Sequence, residues 1–401
     1  MGSEEGKDEV QAQEAQTESL SPRTAGIFVC ADEVYAHPMA VWERNGAIIG
    51  GVAATLLIGL PIGGVFAWGM PIAPYMTFPP RTLYVEHAPF SWTGFLIIGV
   101  TVAAVCLPFL VRLARAAERG APAPWRLPFP WWGWLGAGVT LVAWILAWNR
   151  FPWFDAFQAY TFFPLWAGYI LVVNGLTMVR TGRCPMVSRP GFFTALFALS
   201  AALWWCFEYL NRFVQNWHYL GIDDFGPWPY FLNATLSFST VLPAVMGTAE
   251  FLKSFPNRFQ SLTGFFPLDV RHHRRWGWAV LICVAAALAG IGIRPDYLFP
   301  LLWVAPLLII VSIQAIVGEE TVFSSLKHGD WRPVVVPALA ALICGFFWEM
   351  WNFNSLAHWE YSVPFVQRFQ VFEMPVLGYA GYLPFGLECA AVAGLLRNRG
   401  G

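Results

Sequence analysis

Charge is the first thing this chain lacks. Asp, Glu, Lys and Arg make up 12% of its 401 residues, about half the share of an ordinary soluble domain, so most of its surface cannot be built for water. A formal net charge of −1 leaves no basic field for nucleic acid. The seven cysteines fall singly, without CxxC spacing, which removes the basis for a disulfide scaffold, a zinc ribbon or an iron–sulfur centre. No Walker loop, GxGxxG after a strand, GxSxG elbow or HExxH occurs. Nucleotide-driven transport and the common hydrolase chemistries therefore have no support, and no motif names a cofactor.

Apolar sequence is what fills the space. Hydrophobic residues reach 57% and mean hydropathy is +0.51, values that belong to a chain living in a bilayer. Residues 1–27 are the exception, acidic and poor in large apolar side chains, and they read as a disordered tail. They lack the basic start and short apolar core of a secretory signal, so they are expected to be retained. Beyond them lie ten stretches of about 18 to 26 mostly apolar residues, each able to span ~30 Å of hydrocarbon as a helix. They fall near 45–70, 91–111, 131–148, 157–179, 191–211, 228–252, 276–293, 297–318, 333–353 and 372–395.

Lys and Arg number 16 in the loops on one side and 5 in those opposite, an asymmetry that predicts cytoplasmic N and C termini in a bacterial inner membrane. Many of the 22 Trp, among them Trp131, Trp148, Trp228 and Trp276, sit at span ends, where indoles anchor helices at the headgroup level. The run His272-His273-Arg274-Arg275 reads as a further cytoplasmic anchor touching anionic lipid.

An internal match organises the chain. WWCFEYLNRFVQNWHY at 204–219 resembles FFWEMWNFNSLAHWEY at 346–361. Glu208 and Glu349 are 141 positions apart, as are Asn211 and Asn352, while Trp217 and Trp359, and Tyr219 and Tyr361, are 142 apart. Leu242-Pro243 and Leu383-Pro384 keep the offset of 141, Pro164 and Pro300 stand 136 apart, and Glu250 and Glu388 stand 138 apart. Seven matches in one order predict an all-α transmembrane fold of two tandem four-helix modules preceded by a helix pair. The expected divisions are a tail at 1–27, a two-helix segment at 28–130, module A at 131–253, a basic cytoplasmic linker at 254–275 and module B at 276–401. Because four is even, both modules would enter the membrane in the same sense, about a pseudo-twofold axis along its normal.

Within the ten stretches, Cys and Tyr apart, the ionisable residues are all glutamates: Glu208, Glu250, Glu349, Glu373 and Glu388. A central charge costs roughly 2.5 to 3.5 kcal/mol on insertion scales, so such residues are functional candidates. Without a basic partner in the same layer the uncharged acid is the cheaper occupant, which makes Glu208 and Glu349 candidate catalytic proton donors. The ExxN spacing sets Asn211 and Asn352 on the same helix faces, and Trp204 lies one turn before Glu208. These residues, with His218 and His358 in the following loops and Glu373 at the start of the last span, form the expected substrate-binding set. Glu250 and Glu388, toward the cytoplasm, form an expected proton path. Intervals of 10 and 9 residues from Glu to His do not suit a metal site on one helix, so no metal is expected. Arg81, Glu86 and His87, in the Pro-rich loop at 70–90, could cap the site.

The reading that follows is a multi-pass membrane protein that binds a lipophilic small molecule, such as an isoprenoid, quinone or lipid, between its modules and acts on it by glutamate acid–base chemistry. Membrane lipids and that molecule are its expected partners; nucleic acid is not. A proton-coupled transporter and a non-catalytic membrane assembly subunit are the alternatives.

Overall fold

The computed structural model describes residues 46–80, 82–117 and 127–396. The acidic tail, Arg81 and the last five residues lie outside the described residues, as does part of the basic loop before residue 127. The long helices are α1 (Gly46–Ala67), α2 (Trp92–Ala117), α3 (Trp131–Trp148), α4 (Phe162–Thr181), α5 (Pro190–Val214), α6 (Pro227–Phe238) and α7 (Val241–Lys253). They continue with α8 (His273–Gly290), α9 (Pro300–Val317), α10 (Arg332–Asn352) and α11 (Tyr382–Gly394). Nine stretches among the described residues are long and apolar enough to cross a membrane. The chain is a multi-pass integral membrane protein.

The expected tenth span is α8, and its first turn explains why it falls short. His273, Arg274 and Arg275 lie inside the helix. Its apolar part, from Trp276 to Gly290, reaches only roughly 22 Å at 1.5 Å per residue, against ~30 Å of hydrocarbon.

Two expected spans are not continuous. The stretch at 228–252 breaks at Ser239–Thr240 between α6 and α7, and the stretch at 372–395 opens as a 3-10 turn at Val376–Gly381 before α11 begins. The matched Leu-Pro pairs sit at these restarts: Pro243 and Pro384 occupy the first turns of α7 and α11, where a missing N–H breaks no helical bond. Ser200 bridges the first break, its hydroxyl donating to the Phe238 carbonyl at 2.6 Å and accepting from the Leu242 N–H at 3.0 Å. Irregular backbone at membrane depth is tolerated because it is buried in protein and its polar groups are engaged.

Packing follows the same scheme in both halves. In residues 131–253, α3 lies along α4, and α4 and α5 both pack on α7. In residues 273–394, α8 lies along α9, and α9 and α10 both pack on α11. The halves meet where α10 and α11 contact α7 and where α9 contacts α5. Helix α1 leans on α5, α8 and α9, whereas α2 has no buried residue among its described side chains.

Small residues set these crossings, as expected where helices approach without a hydrophobic drive between them. A Cβ on Gly136 would lie 2.7 Å from the Gly168 carbonyl, and one on Gly168 would lie 2.7 Å from that of Gly136, so α3 and α4 touch backbone to backbone. At the α10–α11 crossing a Cβ on Gly386 would lie 2.0 Å from the Pro337 carbonyl. Gly386→Ala is therefore expected to force the two helices apart and cost about 1 to 3 kcal/mol. Its thermal midpoint in detergent should fall clearly below that of Gly138→Ala, where a Cβ meets open space.

Two short strands join the halves at one end. β1 (Trp217–Leu220) pairs antiparallel with β2 (His358–Tyr361): Trp217 faces Tyr361, His218 faces Glu360, Tyr219 faces Trp359 and Leu220 faces His358. Exchanging each residue for its match 142 positions away leaves this register unchanged, with the centre at His218 and Glu360. A second hairpin joins β3 (Gln370–Val371) to β4 (Met374–Pro375). Glu373 lies in its turn and not in a span, because the chain stays non-helical as far as Pro375.

Candidate functional site

The site begins with the way α5 ends. Gln215 takes a left-handed conformation, φ +51°, which turns the chain out of the helix. Asn211 then holds the exit: its Oδ1 accepts from the Asn216 N–H at 2.7 Å and its Nδ2 donates to the Trp217 carbonyl at 2.8 Å. Asn352 does the same after α10, accepting from the Trp359 N–H at 2.8 Å and donating to the Trp359 carbonyl at 2.7 Å. The ExxN spacing thus puts the amides on strand backbone, and both are buried.

So anchored, each strand presents alternate side chains to the preceding glutamate. Glu208 Oε1 accepts from Tyr219 OH at 2.6 Å, Trp217 Nε1 at 3.2 Å and Trp204 Nε1 at 3.2 Å. Glu349 Oε1 accepts from Tyr361 OH at 2.8 Å and Tyr382 OH at 2.6 Å, while Trp359 Nε1 donates to the Tyr361 hydroxyl at 2.8 Å. Both carboxyls are fully buried, and in both Oε2 has no hydrogen-bond partner. Burial and the adjacent carboxyl push the phenols of Tyr219 and Tyr361 well above their usual range, so both keep the proton they donate.

The two nests differ by an exchange. Trp204 of α5 corresponds to Gly345 of α10, and Val241 of α7 to Tyr382 of α11. Where α5 carries the indole, α7 carries only Val241; where α11 carries the phenol, α10 has no side chain. A Cβ on Gly345 would lie 2.4 Å from the Tyr382 ring. Each glutamate thus gains one extra aromatic donor, from a different helix in each half.

These donors wall a cavity of about 110 Å³ between the halves. Trp204, Trp217, Tyr219, Trp359, Tyr361 and Tyr382 line it, together with Trp303, Trp348 and side chains from the region of α6. Glu208 and Glu349 are not among the lining residues; their aromatic donors stand between them and the space. The volume is below the ~150 Å³ of a cavity known to admit benzene, so it suits a small end group rather than a whole lipid. The rings pack reciprocally across the junction, Trp166 on Trp348 with centroids 4.9 Å apart and Phe207 on Trp303 at 5.7 Å.

The other expected site residues lie in unlike settings. Glu208 does have a basic neighbour: Arg212, one turn later, is buried and donates to the backbone carbonyls of Tyr75 and Thr77. That corrects the expectation of a layer without a basic group, which treated Arg212 as a loop residue. The position matched to Arg212 is Phe353. Glu250 is bound by Lys253, Nζ to Oε1 2.9 Å, with a quarter of its side chain exposed. Glu388 is fully buried, and its carboxyl approaches the Leu307 backbone without closing a hydrogen bond of ordinary geometry.

His218 and His358 place their Nε2 atoms 3.8 Å from the two oxygens of Glu360, at the centre of the strand pair. Nearby, partial burial and then Glu360 raise the Glu373 carboxyl, with His358 opposing. Among the described residues no three His, Cys, Asp or Glu gather as a metal-holding group. His87, from the Pro-rich loop, meets Asp296 at 2.7 Å and the Gln215 carbonyl at 3.2 Å, while Glu86 is exposed.

Reading the sequence missed Tyr382 and Trp348 and passed over Trp303, although Trp303 closes the match of LFPLLW to TFFPLW, and it treated many tryptophans as interface anchors. The signal for Trp217, Tyr219, Trp359 and Tyr361 was present in the WxY match itself. No protein-family model matches the chain, and comparison with curated proteins and with solved structures finds no relative.

Proposed function

We propose that this protein holds the end of a lipophilic molecule, of isoprenoid, quinone or lipid type, in the aromatic cavity between two copies of one four-helix module. The observation that carries the reading is the construction of the cavity wall, in which six lining aromatics are fixed by hydrogen bonds leading to two buried carboxyls. A packed core would fill such a space; positioning several polar aromatics around a void is the construction of a ligand site, mostly apolar with a few placed polar groups. In this reading Glu208 and Glu349 position the wall, Asn211 and Asn352 hold the strands that carry it, and any proton exchanged with the ligand passes through the phenols of Tyr219, Tyr361 or Tyr382. The transport alternative is less well supported, because Glu250 is tied to Lys253.

The duplication is supported by the self-matching strand register, by the repeated packing scheme and by the two glutamate nests. In the proposed topology the strand pair faces outward and the basic loops face the cytoplasm, with both termini inside an inner membrane. Cysteine labelling of intact cells is expected to modify Asp223→Cys, and to modify Lys327→Cys only after permeabilisation. The reverse pattern would invert the assignment.

Native mass spectrometry of protein extracted directly from membranes tests the binding. A retained lipophile is expected on the wild type, with most of its occupancy lost in Trp303→Leu, which opens one wall of the cavity. Equal retention in both, or no bound mass in either, would remove the cavity as its site.

A further inference from the structure

Resting on that reading, we infer that the group held in the cavity carries a positive charge, as a quaternary or alkylated ammonium does. The wall is an aromatic cage. Trp217 and Trp303 meet with centroids 5.3 Å apart, Trp204 and Trp348 at 6.1 Å, and Tyr382 stacks on Trp348 at 6.0 Å. Indole and phenol rings carry negative faces, so a space lined by several of them favours an ammonium over a neutral group of the same shape. Among the described residues lining the cavity there is no Lys or Arg to fill that role.

Electrostatics points the same way. Three donors converge on Glu208 Oε1 and two on Glu349 Oε1, and indole N–H groups can only donate. Such nests use Oε1 of each carboxyl as an acceptor and leave Oε2 free of protein donors. Arg212 stands near Glu208. Glu349 has Phe353 at the matching position and feels a second acid, Glu373. Both Oε2 atoms lack a partner, and an ammonium held in the adjoining space would favour the ionised form of each acid. Buried charge is tolerated when it is paired, and a cation held by the cage supplies the missing partner through the polarised rings. A volume of about 110 Å³ is of the order of a small alkylammonium group and far below that of a phospholipid, whose tails would lie outside.

Two sources share this chemistry, a zwitterionic lipid headgroup and a free small amine. The test titrates purified protein, by tryptophan fluorescence, with tetramethylammonium, with choline and with dimethylbutanol, the uncharged isostere of choline. The cations are expected to bind about tenfold tighter than the isostere. Glu349→Gln should weaken the preference, and Trp303→Leu, which removes a ring without stranding a polar group, should reduce it whether or not Glu349→Gln folds.

A parallel arm reconstitutes the protein in phosphatidylcholine and in phosphatidylglycerol nanodiscs. Retention of the choline lipid without binding of free choline identifies a headgroup, and binding of free choline without lipid retention identifies a soluble amine; both support a cationic ligand, and the second removes the lipophile reading. Equal affinity for choline and its isostere, unaltered in both variants, would overturn the charge inference while leaving the lipophile reading intact. Absence of binding by every probe, with no lipid retained, would remove both.

Discussion

Glu208→Ala is expected to be among the most damaging single substitutions in the protein, lowering stability by at least about 3 kcal/mol. The change strips the acceptor from the Trp204 and Trp217 indoles and the Tyr219 phenol, and a buried donor left unsatisfied costs about 1 to 3 kcal/mol. Glu349→Ala strands two phenols, Tyr361 and Tyr382, and should cost somewhat less. Glu208→Gln keeps one acceptor oxygen and should lose no more than about 1.5 kcal/mol. Thermal midpoints in one detergent rank the three variants directly. A Glu208→Ala protein as stable as the wild type would mean that the carboxyl organises nothing.

The second large effect concerns the exchange between the two nests. Gly345→Trp alone drives an indole into the Tyr382 ring and is expected to prevent folding or cost several kcal/mol. Tyr382→Val alone leaves a gap and removes a donor to Glu349, at a cost of about 2 to 4 kcal/mol. Combined, the two changes rebuild in the second half the arrangement of the first, an indole one turn before the glutamate with valine opposite. The double variant should therefore be markedly more stable than the sum of the singles, with a coupling of about 1 to 3 kcal/mol. Simple additivity would argue that the two nests are not versions of one design.

Much of this architecture could be read before the structure, and the residues show where reading stops. Hydropathy located the spans because length and apolarity alone decide insertion, and the Leu-Pro matches marked helix restarts although they read as mid-span features. Glu208 and Glu349 stood out because the internal sequence match pairs them. Their chemistry did not, since it depends on where Trp217 and Tyr219 point after the left-handed turn at Gln215, and on a donor, Tyr382, that arrives from 33 positions away. Arg212 looked like a loop cation because it falls just past the apolar run; the loop at 73–77 folds over it and buries it. Glu373 looked intramembrane because Met, Pro, Val and Leu follow it, yet the β3–β4 turn keeps it out of the helix.

What occupies the space between the halves decides what the protein does. A cryo-electron density map of the protein extracted with native lipid should show residues 131–252 superposing on 276–395 by a rotation of about 180° about an axis near the membrane normal, as parallel repeats require. It should also show a compact end group against Trp217, Trp303 and Trp359, with a tail leaving toward the bilayer. A cavity closed by the rings themselves, or holding only water with no lipophile at its mouth, would contradict the account.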